Sequence, residues 1–193
     1  MGTKIEGKIL EASEELFARQ GYGMTTTREV ASRADVSEPS IFRVFANKEI
    51  LFQRTVNEVT ERAMSPAEFH MILSSARNAK EFPGLVVKGV RQWYFSISAQ
   101  SARLLMQAML TGNAKWSKMA YVPLNNAINV LVRNLEREMG LPQAKASVAS
   151  RTLILALFQF KIGRALLGVS GKETVVVESM IRQWLPGISG TSD

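Results

Sequence analysis

Residues 24–49 read MTTTREVASRADVSEPSIFRVFANKE, and this stretch constrains the fold more than any other. Thr26 and Glu29 have the spacing of a capping box, in which the Thr side chain caps the third helical N–H and the Glu reaches back. Val30, Ala31 and Ala34 then share one helical face. The small Ala31 lets another helix cross close by. Asp35 stands where this helix must stop, and Asp tolerates the left-handed conformation better than most residues. Val36 plugs the corner. Ser37 caps a second helix, with Glu38 and Pro39 in a first turn where proline's missing N–H is not needed. Ile41, Phe42 and Phe45 recur at helical spacing. Two short helices joined by a turn, the second led by small polar residues, form the shape with which a protein enters a DNA major groove.

The flanking sequence extends the same pattern. A first helix is predicted from Ile5 to Gln20, with Ile5, Ile9, Ala12, Leu16 and Phe17 as its apolar stripe and Gly21 as its stop. Asn47 caps a fourth helix from Lys48 to Ala63, with Ile50, Leu51, Val56 and Val59 inward. Ser65-Pro66 restarts the chain and marks a boundary. Beyond it no strand-like alternation of any length occurs. Helices are predicted over 66–79, 84–99, 101–112, 123–139, 143–168 and 172–185, broken at Pro and Gly positions. The tail 187–193, GISGTSD, is expected to fray. The fold class is therefore all-α, with two domains. Residues 1–63 form a helix-turn-helix domain that includes a bridging helix over 48–63, and residues 64–193 form a second helical domain.

The first 62 residues or so, about a third of the chain, resemble the DNA-binding domain of the tetracycline-repressor (TetR) family of bacterial transcriptional regulators. The matching segments are ILEASEELFARQGY (9–22), TTTREVASRADVS (25–37), IFRVF (41–45) and NKEILF (47–52), in continuous order without gaps. The rest resembles the family only in being helical and of the right length. The resemblance implies that the second and third helices place side chains on DNA. Thr25, Thr26 and Thr27 would then lead the second helix where hydroxyls and N–H groups meet phosphate, with Arg28 next. Ser37, Glu38, Pro39 and Ser40 would point into the groove, with Phe42 and Arg43 one turn on, and Lys48 would meet backbone phosphate. The chain departs from the family at four places. The family often has Lys or Arg where Glu38 stands, Gly where Pro39 stands, Tyr where Phe42 stands and His where Val44 stands. Phe42 lacks a hydroxyl for phosphate, and Val44 offers only an apolar contact such as a thymine methyl. Glu38 either accepts from a cytosine amino group or simply suits a helix N-terminus; the second is favoured. Modest affinity or unusual specificity is the expected result.

Net charge is +7, but its distribution does not argue for DNA binding. Residues 1–62 hold 9 Lys+Arg and 10 Asp+Glu, a balance of −1, and residues 63–193 hold 15 and 7, a balance of +8. Local placement is the better guide: Arg28, Arg43 and Lys48 lie on the motif, while Glu6, Glu11, Glu14 and Glu15 lie on the first helix. The absence of cysteine removes disulfides and thiol chemistry and suits a reducing cytoplasm. The N-terminus has acids and no apolar core, so no signal peptide is expected, and the apolar run Leu153–Phe158 is too short to span a bilayer.

Two sets in the second domain carry further expectations. Trp93, Tyr94, Phe95, Met106, Met109, Trp116, Met119, Tyr121 and Phe160 suit a small-molecule pocket between helices, though for any one of them ordinary core is the favoured reading. Lys88, Arg91 and Arg103 beside them hint at an anionic effector. Residues 148–167 are apolar on too much of their circumference for a surface helix. Ile154, Leu157, Phe158, Ile162 and Leu166 form one stripe there, and Val177, Met180, Ile181, Trp184 and Leu185 form a second on the last helix. The resemblance implies that these two helices build a four-helix homodimer interface, with packing inside the monomer as the alternative. Catalysis finds little support. His70 is the single histidine and sits in no cluster that binds metal, so no cofactor is expected. The resemblance thus implies a cytoplasmic dimeric repressor that leaves a palindromic operator when a small molecule binds. The competing expectation is a helical protein–protein adaptor with a helix-turn-helix that no longer reads DNA.

Overall fold

The computed structural model describes residues 4–168 and 171–189, with side chains described to Leu185. Among these residues the chain forms α1 (Lys4–Met24), α2 (Thr27–Ala34), α3 (Glu38–Val44), α4 (Lys48–Arg62), α5 (Pro66–Leu73), α6 (Phe82–Ser96), α7 (Ala99–Leu110), α8 (Ala114–Ala120), α9 (Val122–Met139), α10 (Gln143–Leu167) and α11 (Glu173–Ser189). No strand occurs among them, so the all-α class holds. None of their helices is long and apolar enough to cross a membrane.

The chain divides into two compact units. One runs to Arg62 and adds Ser98–Val122; the other comprises Ala63–Ile97 and the chain from Pro123 onward. The first division falls beside the Ser65-Pro66 turn. Residues 98–122, by contrast, belong with the N-terminal unit rather than with the helices around them in sequence.

In the N-terminal unit α1 is central and packs on α2, α4 and α7. It buries Ile9, Leu10, Ala12, Leu16 and Phe17, while Ile5, expected in the stripe, is half exposed. The helix bends at Gly21 (φ +77°), a conformation that glycine adopts without a Cβ clash. On α4 the buried face is Leu51, Phe52, Val56 and Val59; Ile50, expected inward, is exposed. Asn47 caps α4 as predicted, its Oδ1 accepting from Ile50 N at 2.9 Å. The sequence gives no warning of α8. Asn113 starts it by accepting from the N–H groups of Lys115 and Trp116 at 3.0 and 3.2 Å. Trp116 then packs on Tyr22 and Phe52, with ring centroids 4.6 and 4.7 Å apart. Glu14 is buried, and its carboxylate accepts from Arg62 of α4 and from the Ser101 hydroxyl of α7, the latter at 2.7 Å. A buried carboxylate held by two donors welds three helices.

In the C-terminal unit a capping box of Ser65 and Glu68 starts α5, with Pro66 in its first turn. This helix stops at Leu73 rather than residue 79. The Ser75 hydroxyl donates to the Ile72 carbonyl at 2.7 Å, the local competition that makes serine a poor helix continuer. Helix α6 crosses α5 at Gly89, where a Cβ would lie 2.7 Å from the Phe69 ring. Helix α10 buries Leu153, Ile154, Leu157, Phe158 and Ile162, and α11 buries Val177 and Ile181 while packing on α6 and α10. The indole N–H of Trp184 donates to the Ala149 carbonyl at 3.0 Å. Helix α11 continues to Ser189, into the segment expected to fray; residues 190–193 lie outside the described residues.

Candidate nucleic-acid interface

The motif formed by α2 and α3 is built by caps and five buried anchors. Thr26 Oγ1 accepts from Glu29 N at 3.1 Å, and Glu29 Oε2 accepts from Thr26 N at 2.8 Å, so the capping box is present. The Thr26 backbone N–H, then its hydroxyl, hold the Glu29 carboxyl below its usual pKa. Val30, Ala31 and Ala34 are buried. Asp35 takes the left-handed conformation (φ 55°, ψ 50°) expected of it and ends α2. Val36, half-buried, closes the turn by donating its N–H to the Ala31 carbonyl at 3.0 Å. Ser37 occupies the N-cap position of α3, but its hydroxyl does not cap. It lies 2.8 Å from the Ser40 hydroxyl instead. Ile41 and Phe45 are buried and pin α3 to the unit. The opposite side of α3 therefore faces outward.

The predicted contact residues fall into distinct settings. Thr25 is fully buried and its hydroxyl donates to the Gly21 carbonyl at 2.8 Å, so its side chain holds the bend at Gly21 instead of reaching phosphate. Thr26 is exposed but occupied as the cap. Thr27 and Glu38 are brought together: the Thr27 hydroxyl donates to Glu38 Oε1 at 2.6 Å, tying α2 to the start of α3. Arg28, Ser37 and Pro39 are exposed, and Ser40 is half-buried. A guanidinium nitrogen of Arg43 donates to the Ser40 hydroxyl at 3.1 Å. Phe42 is 48% exposed and Val44 38%, so both present apolar surface on α3. Lys48 is half-buried, with Nζ 4.4 Å from the centre of the Tyr22 ring and 3.4 Å from the Gly23 carbonyl. Burial pushes its pKa down, opposed by the Glu29 charge.

Sequence reasoning missed Arg19 and Arg33. They line one surface groove with Arg28, Thr26, Glu29 and Ser32, which concentrates positive charge in an otherwise near-neutral domain. Arg33 is also bonded to Glu15 at 2.6 Å. No periodicity signals this grouping, because it depends on how α1 crosses α2.

The other two predicted sets are placed as follows. Met106, Met109, Trp116 and Tyr121 belong to the N-terminal unit, and Trp93, Tyr94 and Phe160 to the C-terminal unit. Trp93, Tyr94 and Trp116 are buried; the rest are half-buried. Of the six dimer candidates, Ile154, Leu157, Phe158 and Ile162 are buried within the single chain, and Met180 and Trp184 are half-buried. The apolar residues exposed on these helices are instead Val148, Leu155, Leu166 and Leu167 on α10 and Val175 and Val176 on α11. No group of His, Cys, Asp and Glu among the described residues is arranged to hold a metal.

Residues 9–55 match the profile of the family described as bacterial regulatory proteins, tetR family. Over 51 residues the chain is 43% identical to an uncharacterized HTH-type transcriptional regulator, YvkB, of Bacillus subtilis (strain 168). That match covers 26% of this chain and spans about a quarter, 27%, of the relative. Two solved structures share the whole fold. NalD, described as the secondary repressor of the MexAB-OprM multidrug efflux pump in Pseudomonas aeruginosa, superposes with a TM-score of 0.67 at 21% identity over 95% of each chain. The regulator FadR from Bacillus subtilis, solved in complex with stearoyl-CoA, gives 0.68 at 17% identity over 94% of this chain and 98% of its own. At such identities the likeness is one of fold.

Proposed function

We propose that this chain, whose residues 9–55 match the tetR family of bacterial regulatory proteins, is a DNA-binding transcriptional regulator, a homodimeric repressor released from a palindromic operator by a small-molecule effector. One observation carries the DNA reading. Helix α3 is anchored by Ile41 and Phe45 and turns Ser37, Pro39, Phe42, Arg43 and Val44 outward, with Arg28 on α2 and Lys48 on α4 beside it. Arg28, Arg43 and Lys48 supply the phosphate contacts, with Arg19 and Arg33 added from the groove. Phe42 and Val44 supply apolar contact to base edges.

A homodimer follows from two-fold operators, in which paired recognition helices read half-sites about 34–36 Å apart. Val148, Leu155 and Leu166 recur on one face of α10, Gly163 between them leaves open space, and Val175 and Val176 are exposed on α11. A second copy would cover this face. The stripe of Ile154, Leu157, Phe158 and Ile162 supports the interface from beneath. Residues 1–63 carry DNA contact, reinforced by 98–122, and the chain from residue 64, apart from that segment, carries dimerisation and effector binding. The effector shifts a population, and only by as much as its affinities for the two states differ. The reading is supported by two proteins of similar fold, NalD, described as a repressor, and FadR, solved in complex with stearoyl-CoA. The adaptor reading draws on the near-neutral charge of residues 1–62 and on the apolar Phe42 and Val44 exposed on α3.

Fluorescence anisotropy tests the proposal, with the DNA upstream of the gene and a scrambled duplex compared at two salt concentrations. The expected result is a preference on the order of a thousandfold. Equal binding to both duplexes, together with failure to enrich any sequence from a random pool, would leave only the adaptor.

A further inference from the structure

The C-terminal unit contains a charge cluster that no part of the DNA-binding proposal uses. Lys161 of α10 has a side chain only 7% exposed. Its Nζ sits 3.8 Å from the centre of the Tyr94 ring and 5.4 Å from that of Phe95. One carboxylate oxygen, Glu173 Oε1, serves three groups: it accepts the Tyr94 hydroxyl at 2.6 Å and meets Lys161 Nζ at 3.8 Å and Arg164 Nε at 3.9 Å. Only the phenol is at hydrogen-bond distance; both cations are at long ion-pair distance. Two cations therefore share one carboxylate, and the cluster is a positive charge in excess. A desolvated cation is costly unless closely paired, and burial pushes the Lys161 pKa down. Glu173 is the open side of the cluster, with a side chain 30% exposed. It lies in the first turn of α11. Helix α11 keeps a separate tie to α6, since Arg91 meets Glu178 at 3.2 Å. Glu173 can therefore swing out without releasing the helix.

We infer that Tyr94, Lys161 and Arg164 form a receptor for the carboxylate of a small amphipathic monocarboxylic acid, and that Glu173 occupies this receptor when the acid is absent. The apolar body of the acid lies against Phe95, which is exposed, and Phe160, whose ring centre is 5.7 Å from the Arg164 guanidinium. This deepens the proposed effector reading and rests on it for its consequence. Displacing Glu173 frees the first turn of α11, directly before Val175 and Val176 of the proposed dimer face.

The test is thermal-shift titration of the full chain with saturated monocarboxylates from acetate to octanoate at constant ionic strength, with alkylammonium chlorides and inorganic phosphate as controls. Carboxylates should stabilise the wild type saturably, more so with chain length, and the controls should not. Lys161→Met, which keeps the volume of the buried stem, should abolish the response. Glu173→Ala removes the internal competitor and should bind octanoate about tenfold more tightly, the equivalent of one charge-assisted hydrogen bond. A response equal in wild type and Lys161→Met, equal for phosphate, or absent in both wild type and Glu173→Ala would overturn the site. Should Lys161→Met fail to fold, the direction of the Glu173→Ala change decides alone. Anisotropy on operator DNA separates the two levels. Carboxylate binding that leaves DNA affinity unchanged removes the effector role and keeps the site.

Discussion

Replacing Glu38 by Gln isolates what the carboxylate at the head of α3 contributes. Its Oε1 accepts the Thr27 hydroxyl at 2.6 Å, and it stands in the first turn of the helix. Gln retains an acceptor for Thr27 and loses the charge that favours a helix N-terminus. The stability cost should be about 0.5–1 kcal/mol. On DNA the sign reverses. A carboxylate roughly 10 Å from a phosphate is repelled by about 0.4 kcal/mol in water. Three or four phosphates in reach, screened over a Debye length of about 8 Å at 0.15 M salt, sum to about 0.4 kcal/mol, or twofold tighter binding for the Gln variant. At 0.01 M, where the Debye length is about 30 Å, the same sum is about 1 kcal/mol, or sixfold. Anisotropy on one operator at both salts, alongside thermal denaturation, reads both effects. If the variant instead binds more weakly, by about 1–3 kcal/mol and only on operators with cytosine at one position, Glu38 accepts from a base and the electrostatic argument is wrong.

Three other perturbations test neighbouring parts of the account. Gly89→Ala would place a Cβ 2.7 Å from Phe69 Cε2 and 3.3 Å from Leu73 Cδ2, within the α5–α6 crossing. Overpacking of about 1–3 kcal/mol should outweigh a helix-propensity gain of about 1 kcal/mol, lowering the urea midpoint; a variant as stable as the parent refutes the close approach. Phe42→Tyr should tighten DNA binding by about twofold to tenfold through one phosphate hydrogen bond while leaving the salt slope unchanged, since a neutral hydroxyl displaces no counterion. Weaker binding would mean that the ring packs on apolar base edges. Glu29 and Glu68 both have pKa values below the ordinary 4.5, held down first by the backbone N–H of their own cap residue. A depressed carboxyl contributes stability above pH 4.5 that is lost as pH falls through the lower folded value. Glu29→Gln and Glu68→Gln should therefore be less stable than wild type at pH 6, and the gap should shrink as pH falls below the ordinary carboxyl value of 4.5 and through the lower folded one. A stability gap that stays constant over this range would contradict the assignment.

What was legible in the sequence is what acts within about four residues. The capping box at Thr26, the left-handed Asp35, the Asn47 cap and the Ser65-Pro66 restart all appear where they were expected. What a distant partner decides was not legible. Thr25 reads as a helix-leading hydroxyl, yet the Gly21 carbonyl across the bend takes its side chain inside. Ile50 and Phe52 are equally apolar, and only the position of α4 on α1 determines that Phe52 is buried. On α10 the strongest apolar stripe is the one the monomer buries, so the surface left for a partner is the weaker stripe of Val148, Leu155 and Leu166.

Helix α8 is the instructive omission. Composition marks where a chain turns, and α7 does end just before Gly112, but it says nothing about where the next segment packs. That depends on contacts between residues far apart in sequence: Ser101 with Glu14, and Trp116 with Tyr22 and Phe52. These contacts give residues 98–122 a direct hold on the residues proposed to meet DNA. Trp116 touches the Tyr22 ring at 4.6 Å, and that ring carries Lys48 Nζ at 4.4 Å. A shift of α8 by even a fraction of a side chain therefore moves the platform under a proposed phosphate contact, through a single aromatic ring. Close-packed rings of this kind transmit displacement rather than absorb it. On the proposed function, residues 98–122 need no long relay to the proposed contact at Lys48, because Trp116 and Tyr22 already connect them within one unit.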